Sequence, residues 1–247
     1  MATPSLLLLL ADGRFPAGAH AHSGGLEAAV AAGRVTDLAS LEAFLAGRLA
    51  TAGLVGAAFA AAAHRAAVAE TADSANPARS ARGAEPAESA ARSGALARLD
   101  AELDARTAAP ALRAVSRRQG RALLRAGRAI WSDAPFADLP ATPGGAHQPL
   151  VLGLLCAAAG LSRVETATIA AYGTLTGAAS AGVRLLGLDP YQVQALLVGL
   201  ADACDGTAAD AARAADDPPE RLPAAAAPLA DIHAEIHATW EVRFFAS

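Results

Sequence analysis

Apolar residues recur every three or four positions along most of this chain, and no stretch alternates apolar with polar residues as a half-buried strand does. Leu38, Leu41, Leu45 and Leu49, for example, fall on one face of a helix. The sequence is rich in alanine, the best helix former, and only 4% aromatic. Because 53% of the 247 residues are hydrophobic, we expect one sizeable core. The predicted fold is all-α, a single-domain bundle of about eight to ten helices over residues 1–247.

Polar residues with capping chemistry mark the starts of several expected helices. Ser162 and Glu165 have the spacing of a capping box, and Asp189 precedes a proline that suits the first turn of a helix. Ser23 stands where the N-cap of a short helix beginning near Leu26 belongs, and Glu27 falls in the first turn of that helix.

Two segments lack an apolar period and are rich in alanine, charged residues and proline. They span residues 70–94 and 206–223. We expect both to be mobile segments of the single domain and not boundaries between domains. In contrast, Leu54–Val68 is apolar on nearly every side, which is typical of a helix inside a core.

Arginines recur every four residues along the helix expected from about Ala111 to Trp131. They are Arg113, Arg117, Arg121 and Arg125. We favour a solvated face whose arginines pair with the carboxylates of Asp100, Glu102 and Asp104. A docking face for an acidic protein is the second interpretation. A nucleic-acid site is the third, because no aromatic residues are interleaved with the arginines.

Three of the ten aromatic residues lie within the last eight positions of the chain, namely Trp240, Phe244 and Phe245. A chain terminus normally frays, so aromatic side chains there have to be buried against the rest of this chain or against a partner. The sequence leaves both outcomes open. We expect residues 240–247 to form a partner-docking tail.

All 20 basic residues of the sequence are arginine, and there is no lysine. P-loop, Schiff-base and pyridoxal enzymes each require a lysine, so these classes are excluded. The motifs G-x-S-x-G, C-x-x-C and H-E-x-x-H are absent as well. We therefore expect a non-enzymatic protein without cofactor or bound metal. The alternative is a small helical metal-dependent hydrolase whose ligands are His20, His22, His147, His233 and His237.

Charge and hydropathy bear on the location of the protein. The net charge of -4 gives no general attraction to nucleic acid. The N-terminus lacks the features of a signal peptide, and the longest apolar run, Leu150–Leu161, is too short to cross a bilayer. Cys156 and Cys204 are expected to be buried free thiols. We expect a cytoplasmic protein that binds neither nucleic acid nor membrane.

Five blocks of the sequence, in order, resemble the UreF family of urease accessory proteins. The first, Phe15–Glu27, reads F-P-A-G-A-H-A-H-S-G-G-L-E and resembles the N-terminal signature of the family, Pro-x-Gly followed by Ser-x-Gly-Leu-Glu. The others lie at residues 99–125, 147–153 and 180–185, and at 228–232 with 243–247 for the C-terminal ending. Together they are spread along the chain from residue 15 to residue 247, and they leave out the two segments without an apolar period.

The resemblance implies an all-α homodimer that acts as a non-enzymatic scaffold or chaperone. Proteins of this family bind the accessory protein UreD, also called UreH, and the nickel-carrying GTPase UreG. The assembly docks on apo-urease so that nickel enters the active site of that enzyme.

Carried onto this sequence, the resemblance implies two groups of partner-binding residues. The first group is the tail that grips UreD, with Arg243, Phe244 and Phe245 next to Trp240. The second group lies near the dimer or GTPase-facing surface and consists of His20, His22, Ser23, Glu27 and His147.

Overall fold

Eleven α-helical segments form the computed structural model, which describes residues 4–16, 21–73 and 84–245, with only the backbone given for 69–73 and 84–85. A π-helical turn at Leu49–Gly53 joins α3 to α4 without a break, so the segments make ten helical units. The described residues contain no β-strand. The predicted all-α bundle of about eight to ten helices is confirmed. The segments are α1 Pro4–Ala11, α2 Leu26–Ala31, α3 Leu38–Arg48, α4 Leu54–Asp73, α5 Ala84–Arg106, α6 Pro110–Ile130, α7 Gln148–Ala158, α8 Arg163–Leu186, α9 Pro190–Gly199, α10 Ala201–Ala214 and α11 Pro228–Ala238.

Helix α4 occupies the middle of the bundle and packs against α7, α8 and α10. Every side chain from Ala57 to Ala63 is buried, and Phe59 has no exposed surface. The prediction that this segment is a core helix is confirmed. The apolar cluster around it extends from Leu10 in α1 to Phe245 near the C-terminus, so one core joins the described helices.

The backbones of α4 and α7 approach closely at Gly153. A Cβ atom at this position would lie 2.4 Å from the carbonyl oxygen of Ala60 and 2.7 Å from both the Cβ of Ala63 and the amide nitrogen of His64. Real Cβ atoms do not approach backbone atoms so closely, so the contact requires glycine. The side chain of His64 secures the same region, because its Nε2 lies 2.7 Å from the carbonyl oxygen of Leu161.

The continuous helix Leu38–Val68 is long and apolar enough to cross a membrane by length and composition alone, with a mean hydropathy of 1.5. The sequence expectation considered only the uninterrupted run Leu150–Leu161 and missed this helix, which glycine and polar residues interrupt. In the structure, 44% of the most apolar 18-residue stretch of this helix is buried inside the protein. A core helix meets the same criteria, and the packing of α4 within the bundle accounts for its composition.

The helix starts agree with the sequence at two of the three predicted caps. Ser162 and Glu165 form a capping box, and the Asp189 carboxylate accepts a hydrogen bond from the Tyr191 amide. The prediction for Ser23 is wrong in position, because the N-cap of α2 is Gly25 with a φ of 89°. Two glycines with positive φ, Gly24 and Gly25, insert a tight turn after Ser23. Its Oγ still accepts a 3.3 Å hydrogen bond from the Glu27 amide.

The segments expected to lack packed structure are largely helical where the structure describes them. Residues 206–214 complete α10, and Ala208, Ala211 and Ala212 are buried against the core. Alanine therefore packs here without larger apolar side chains. The rest of 206–223 is tied to α5, because the Arg106 guanidinium donates to the carbonyl oxygens of Pro219, Glu220, Leu222 and Pro223 at 3.0–3.2 Å.

The same holds at the edges of the other segment. Helix α4 continues to Asp73 and α5 begins at Ala84, so much of residues 70–94 is helical, while 74–83 lie outside the described residues. Apolar spacing underestimates such helices because alanine, arginine and glutamate favour helix by intrinsic propensity. The mobility of both segments stays a prediction.

We expect Gly153→Ala to destabilise the protein by about 1–3 kcal/mol, since the added methyl group overlaps the backbone of α4. The matched control is Gly173→Ala in α8, where the added methyl group would have nothing within 4 Å. That change should stabilise the protein by about 0.5–1 kcal/mol, because alanine is the better helix former. Urea unfolding followed by circular dichroism measures both values, and equal stability of the two variants would contradict the packing described.

Candidate partner-binding site

The carboxylate of Glu27 joins the N-terminal motif to the C-terminal segment. Glu27 lies in the first turn of α2, as predicted, but its side chain is buried. Its Oε2 lies 3.0 Å from Nε2 of His237 and accepts a 3.0 Å hydrogen bond from the Phe245 amide. Its Oε1 accepts a 2.8 Å hydrogen bond from the Phe244 amide. One side chain thus fixes the end of α11 and the backbone that follows it.

Two opposing effects act on the pKa of Glu27. Burial is the largest single effect and raises the pKa, because it disfavours the charged form. The hydrogen bonds from Phe244, His237 and Phe245 together outweigh burial, so the net pKa lies below its usual value of 4.5. Glu27 is therefore ionised at neutral pH, where charge strengthens its hydrogen bonds to the tail backbone.

The inner face of the C-terminal segment packs against the bundle. His237 is buried, and its ring lies 4.7 Å from that of Trp240 at an interplanar angle of 54°. Phe245 is also buried, with the Arg184 guanidinium 4.5 Å from its ring centroid. Such a contact adds cation–π attraction to apolar burial. These residues hold the segment in place from α11 to Phe245.

The outer face of the same segment is apolar and exposed. Phe244 is 86% exposed and Val242 is 85% exposed, although both are large apolar side chains. Leu229, Ile232 and Ile236, spaced three and four residues apart on α11, are exposed as well. We call these five residues the C-terminal apolar surface. Large exposed apolar side chains concentrated in one short segment favour an interaction site.

The tail aromatics divide between the interior and the surface of this chain, and burial against a partner stays a prediction. Phe245 packs against this chain, Phe244 faces solvent, and Trp240 is half-buried. Arg243 is exposed between them in sequence.

The structure thus brings part of the two predicted groups together, since Glu27 and the tail meet directly. Ser23 is fully buried and His22 is half-buried, whereas His20 lies outside the described residues. Sequence reasoning missed the contact between Glu27 and His237, for which more than 200 intervening residues give no local signal.

His147 does not belong to this surface and has no exposed area. Its Nε2 lies 2.8 Å from Oδ1 of Asp104 and its Nδ1 lies 3.0 Å from Oγ of Ser116. Burial, the largest effect, lowers the pKa of His147 and favours the neutral ring. The side chain is enclosed at the start of α7, where it contacts α5 and α6, and its partner-binding role stays a prediction.

The arginines of α6 divide between the interior and the surface. Arg117 is buried and pairs with Asp100 and Asp104, each at 3.0 Å. The expected pairing is therefore confirmed for this residue, although its face is not solvated. The expected pairing of Glu102 with an arginine of α6 is wrong, because Glu102 pairs with Arg106 of its own helix, α5. Arg121 and Arg125 are exposed.

The described histidines do not assemble into a metal site. His237 is engaged with Glu27 and His147 with Asp104. Within residues 4–16, 21–73 and 84–245, no group of three or more His, Cys, Asp or Glu side chains is placed to hold a metal ion. Cys156 and Cys204 are free and buried, and burial raises the pKa of both thiols. High pKa values make these thiols poor nucleophiles and poor ligands.

Comparison with known protein sequences assigns this chain to a family. A sequence model described as UreF matches residues 35–201, more than half of the chain. The chain belongs to the UreF family. It is 40% identical to the urease accessory protein UreF of Mycolicibacterium vanbaalenii over 247 residues, which cover 100% of both chains.

Other relatives of the same name agree with this assignment. The chain is 42% identical to UreF of Mycobacterium marinum over 247 residues and 100% of both chains. It is 41% identical to UreF of Mycobacterium tuberculosis over 213 residues, which cover 85% of this chain and 86% of that one. The resemblance inferred from the five sequence blocks is confirmed. The full-length matches include the N-terminal motif and the tail, which lie outside the residues that the family model matches.

We expect the tail to leave the bundle as pH falls through the lowered pKa of Glu27. A depressed carboxyl pKa contributes stability above the pKa of the unfolded chain, and this contribution is lost on protonation in the fold. The transition should therefore have a midpoint below 4.5. The amide resonances of Phe244 and Phe245, followed against pH by NMR, report it directly.

Glu27→Gln should remove this transition and weaken tail docking at neutral pH by about 1–3 kcal/mol, because the amide lacks the charge and one acceptor oxygen. Glu241→Gln, an exposed change in the same segment, is the control and should keep the transition. A transition that survives in Glu27→Gln would show that another group holds the tail.

Proposed function

We propose that this UreF-family chain is a non-enzymatic, cytoplasmic scaffold for assembly of the urease nickel centre. It binds UreD/UreH through the C-terminal apolar surface, recruits the GTPase UreG, acts as a homodimer and docks with its partners on apo-urease. The exposed C-terminal apolar surface carries this proposal. Its five apolar side chains are exposed, and Glu27 holds the backbone amides of Phe244 and Phe245 at its end.

The free energy available at this surface supports a protein partner. Burial of one fully exposed leucine, isoleucine or phenylalanine side chain stabilises a complex by about 1.5–3 kcal/mol. Phe244 and the isoleucines of α11 can supply such burial when a partner covers them. Binding energy at interfaces concentrates in a few aromatic and large apolar residues of this type.

Fixing the tail in advance also favours binding. A disordered tail would lose backbone entropy of about 1–2 kcal/mol per residue when a partner orders it. Here the hydrogen bonds to Glu27 and the burial of Phe245 order the segment within the free chain. A preorganised surface keeps more of its contact energy as affinity.

The division of labour between UreF and the GTPase agrees with the sequence. A nucleotide-binding P-loop needs a lysine, and this chain has none. We propose that UreG supplies nucleotide binding and that this chain supplies a surface. The alternative of a metal-dependent hydrolase has no observation in its favour, because the described histidines that were its candidate ligands include two already paired with carboxylates.

We expect Phe244→Ala to weaken binding of purified UreD about ten- to hundredfold without changing the melting temperature, since Phe244 is exposed in the free chain. Isothermal titration calorimetry with UreD measures the change. Tyr191→Ala is the matched control, because Tyr191 is 84% exposed on α9, outside the surface. Equal loss in both variants, or none in Phe244→Ala, would contradict the proposal.

Deletion of residues 240–247 is a coarser form of the same test. The shortened chain should stay helical and no longer co-purify with UreD. Because the deletion also removes the buried ring of Phe245, some loss of stability is expected. Complete unfolding of the shortened chain would show that the tail belongs to the core and would contradict its role as a docking segment.

A further inference from the structure

Helix α6 carries six arginines and neither aspartate nor glutamate. Four of these arginines are exposed and follow one another at intervals of three, four and three residues. We call them the arginine stripe, which consists of Arg118, Arg121, Arg125 and Arg128. Residues at such intervals share one face of a helix, so the stripe extends for about 15 Å along the surface. Because the net charge of the whole chain is -4, this positive surface is a local feature.

The buried side of α6 fixes the direction in which the stripe points. A Cβ atom at Gly120 would lie 2.2 Å from the carbonyl oxygen of Ala146. A Cβ atom at Gly127 would lie 2.8 Å from Cζ of Phe136. Approaches this close hold the backbone of α6 against the bundle, and Leu123 is buried on the same side. The stripe is therefore presented to solvent by a rigid element.

The side chain of Arg121 is positioned as well. Its Nη1 donates a hydrogen bond to the carbonyl oxygen of Gly144, in the loop before α7. This loop follows the arginine closely, because a Cβ atom at Gly145 would lie 2.9 Å from Cγ of Arg121. Arg121 nevertheless remains exposed. A charged group held in place before binding loses less side-chain entropy when a partner arrives.

The positive charge of the stripe is not balanced on this helix face. Arg121, Arg125 and Arg128 form no ion pair with a carboxylate of the described residues. Like charges three or four residues apart destabilise a helix, whereas a solvated face typically carries charges of both signs. This arrangement is unfavourable in the free chain, and an acidic surface placed against it would relieve the repulsion.

The residues around the stripe favour a protein partner over nucleic acid. Single-stranded nucleic acid binds where aromatic side chains stack on its bases, and the stretch from 118 to 128 contains no aromatic residue. A nucleic-acid-binding domain is usually basic overall, but this chain is acidic. Carboxylates on a helix match the stripe, because residues three or four apart on any helix are about 5–6 Å apart. Arginine pairs well with carboxylates through its planar donors.

We propose that the arginine stripe is a docking surface for an acidic protein helix whose carboxylates recur every three or four residues. Such complementary charges accelerate and orient association more than they add affinity. The stripe includes no residue of the C-terminal apolar surface. The inference therefore goes beyond the function proposed above and does not depend on it.

Binding of a synthetic peptide to the full chain tests this surface by fluorescence anisotropy. The labelled probe is an alanine-based peptide with four glutamates at intervals of three, four and three residues. The control peptide has the same composition, but its four glutamates are adjacent. We expect saturable binding of the probe, about tenfold tighter than that of the control peptide and weaker as salt is added. Equal binding of the two peptides, or no saturable binding of the probe, would overturn the proposal.

Variants with equal changes in net charge separate the stripe from a general charge effect. Arg121→Gln, Arg125→Gln and Arg128→Gln together should weaken binding of the probe about tenfold. The double variant without the change at Arg121 keeps the bond to Gly144 and should still weaken binding, so a folding defect cannot explain the result. The control variant replaces three exposed arginines outside α6, namely Arg34→Gln, Arg98→Gln and Arg213→Gln. It should bind the probe as the wild type does, and equal losses in the triple variants would contradict the site.

Two further probes test the other polyanions that a basic surface attracts. They are a short DNA duplex and vesicles of phosphatidylcholine with phosphatidylserine. Binding of either one more tightly than the peptide, with loss in the stripe variant, would assign the surface to that partner and overturn the proposal. The effect of Phe244→Ala on UreD binding is measured separately, so failure of this inference is distinct from failure of the proposed function.

Discussion

The buried carboxylate of Glu27 joins the two ends of this chain, and the arrangement of the candidate site depends on it. It accepts hydrogen bonds from two consecutive backbone amides of the tail and contacts His237 at the end of α11. Because a carboxylate accepts but does not donate, an ionised Glu27 matches these amide donors. The inner face of the tail is thereby fixed, and its apolar outer face is turned to solvent.

A second group of buried charges in the bundle is neutralised by opposite charges. Arg117 meets two aspartates, and one of them, Asp100, also accepts a 3.1 Å hydrogen bond from the backbone amide of His147. This network connects α5, α6 and the start of α7, and all of its charged members have opposite partners. By contrast, Arg48 donates a hydrogen bond to the carbonyl oxygen of Gly24 and pairs with no carboxylate among the described residues.

The sequence predicted features that depend on neighbours along the chain. Apolar spacing and capping residues gave the helical fold, the core position of α4 and the starts of α8 and α9, because these signals act within a few residues. It underestimated α10, whose alanines pack without an apolar stripe of larger residues. It also misplaced the cap at Ser23, where two positive φ angles displace the start of the helix.

Contacts between distant segments were beyond the reach of the sequence. Nothing local indicates that Glu27 meets Phe244 and Phe245, or that His147 is enclosed by Asp104 and Ser116. The sequence also did not indicate which tail side chains are exposed. Phe244 and Phe245 are adjacent and identical, yet Phe244 is exposed and Phe245 is buried. Burial depends on where α2 and α8 place their side chains, and only the assembled bundle defines this.

The most direct test of the account is a double-mutant cycle for UreD binding with Glu27→Gln and Phe244→Ala. If Glu27 acts by positioning the tail, Glu27→Gln alone weakens binding, and Phe244→Ala adds much less in that background than in the wild type. The account predicts this coupling in titration calorimetry. Wild-type affinity of Glu27→Gln, or full additivity of the two changes, would contradict the claim that the buried carboxylate presents the binding surface.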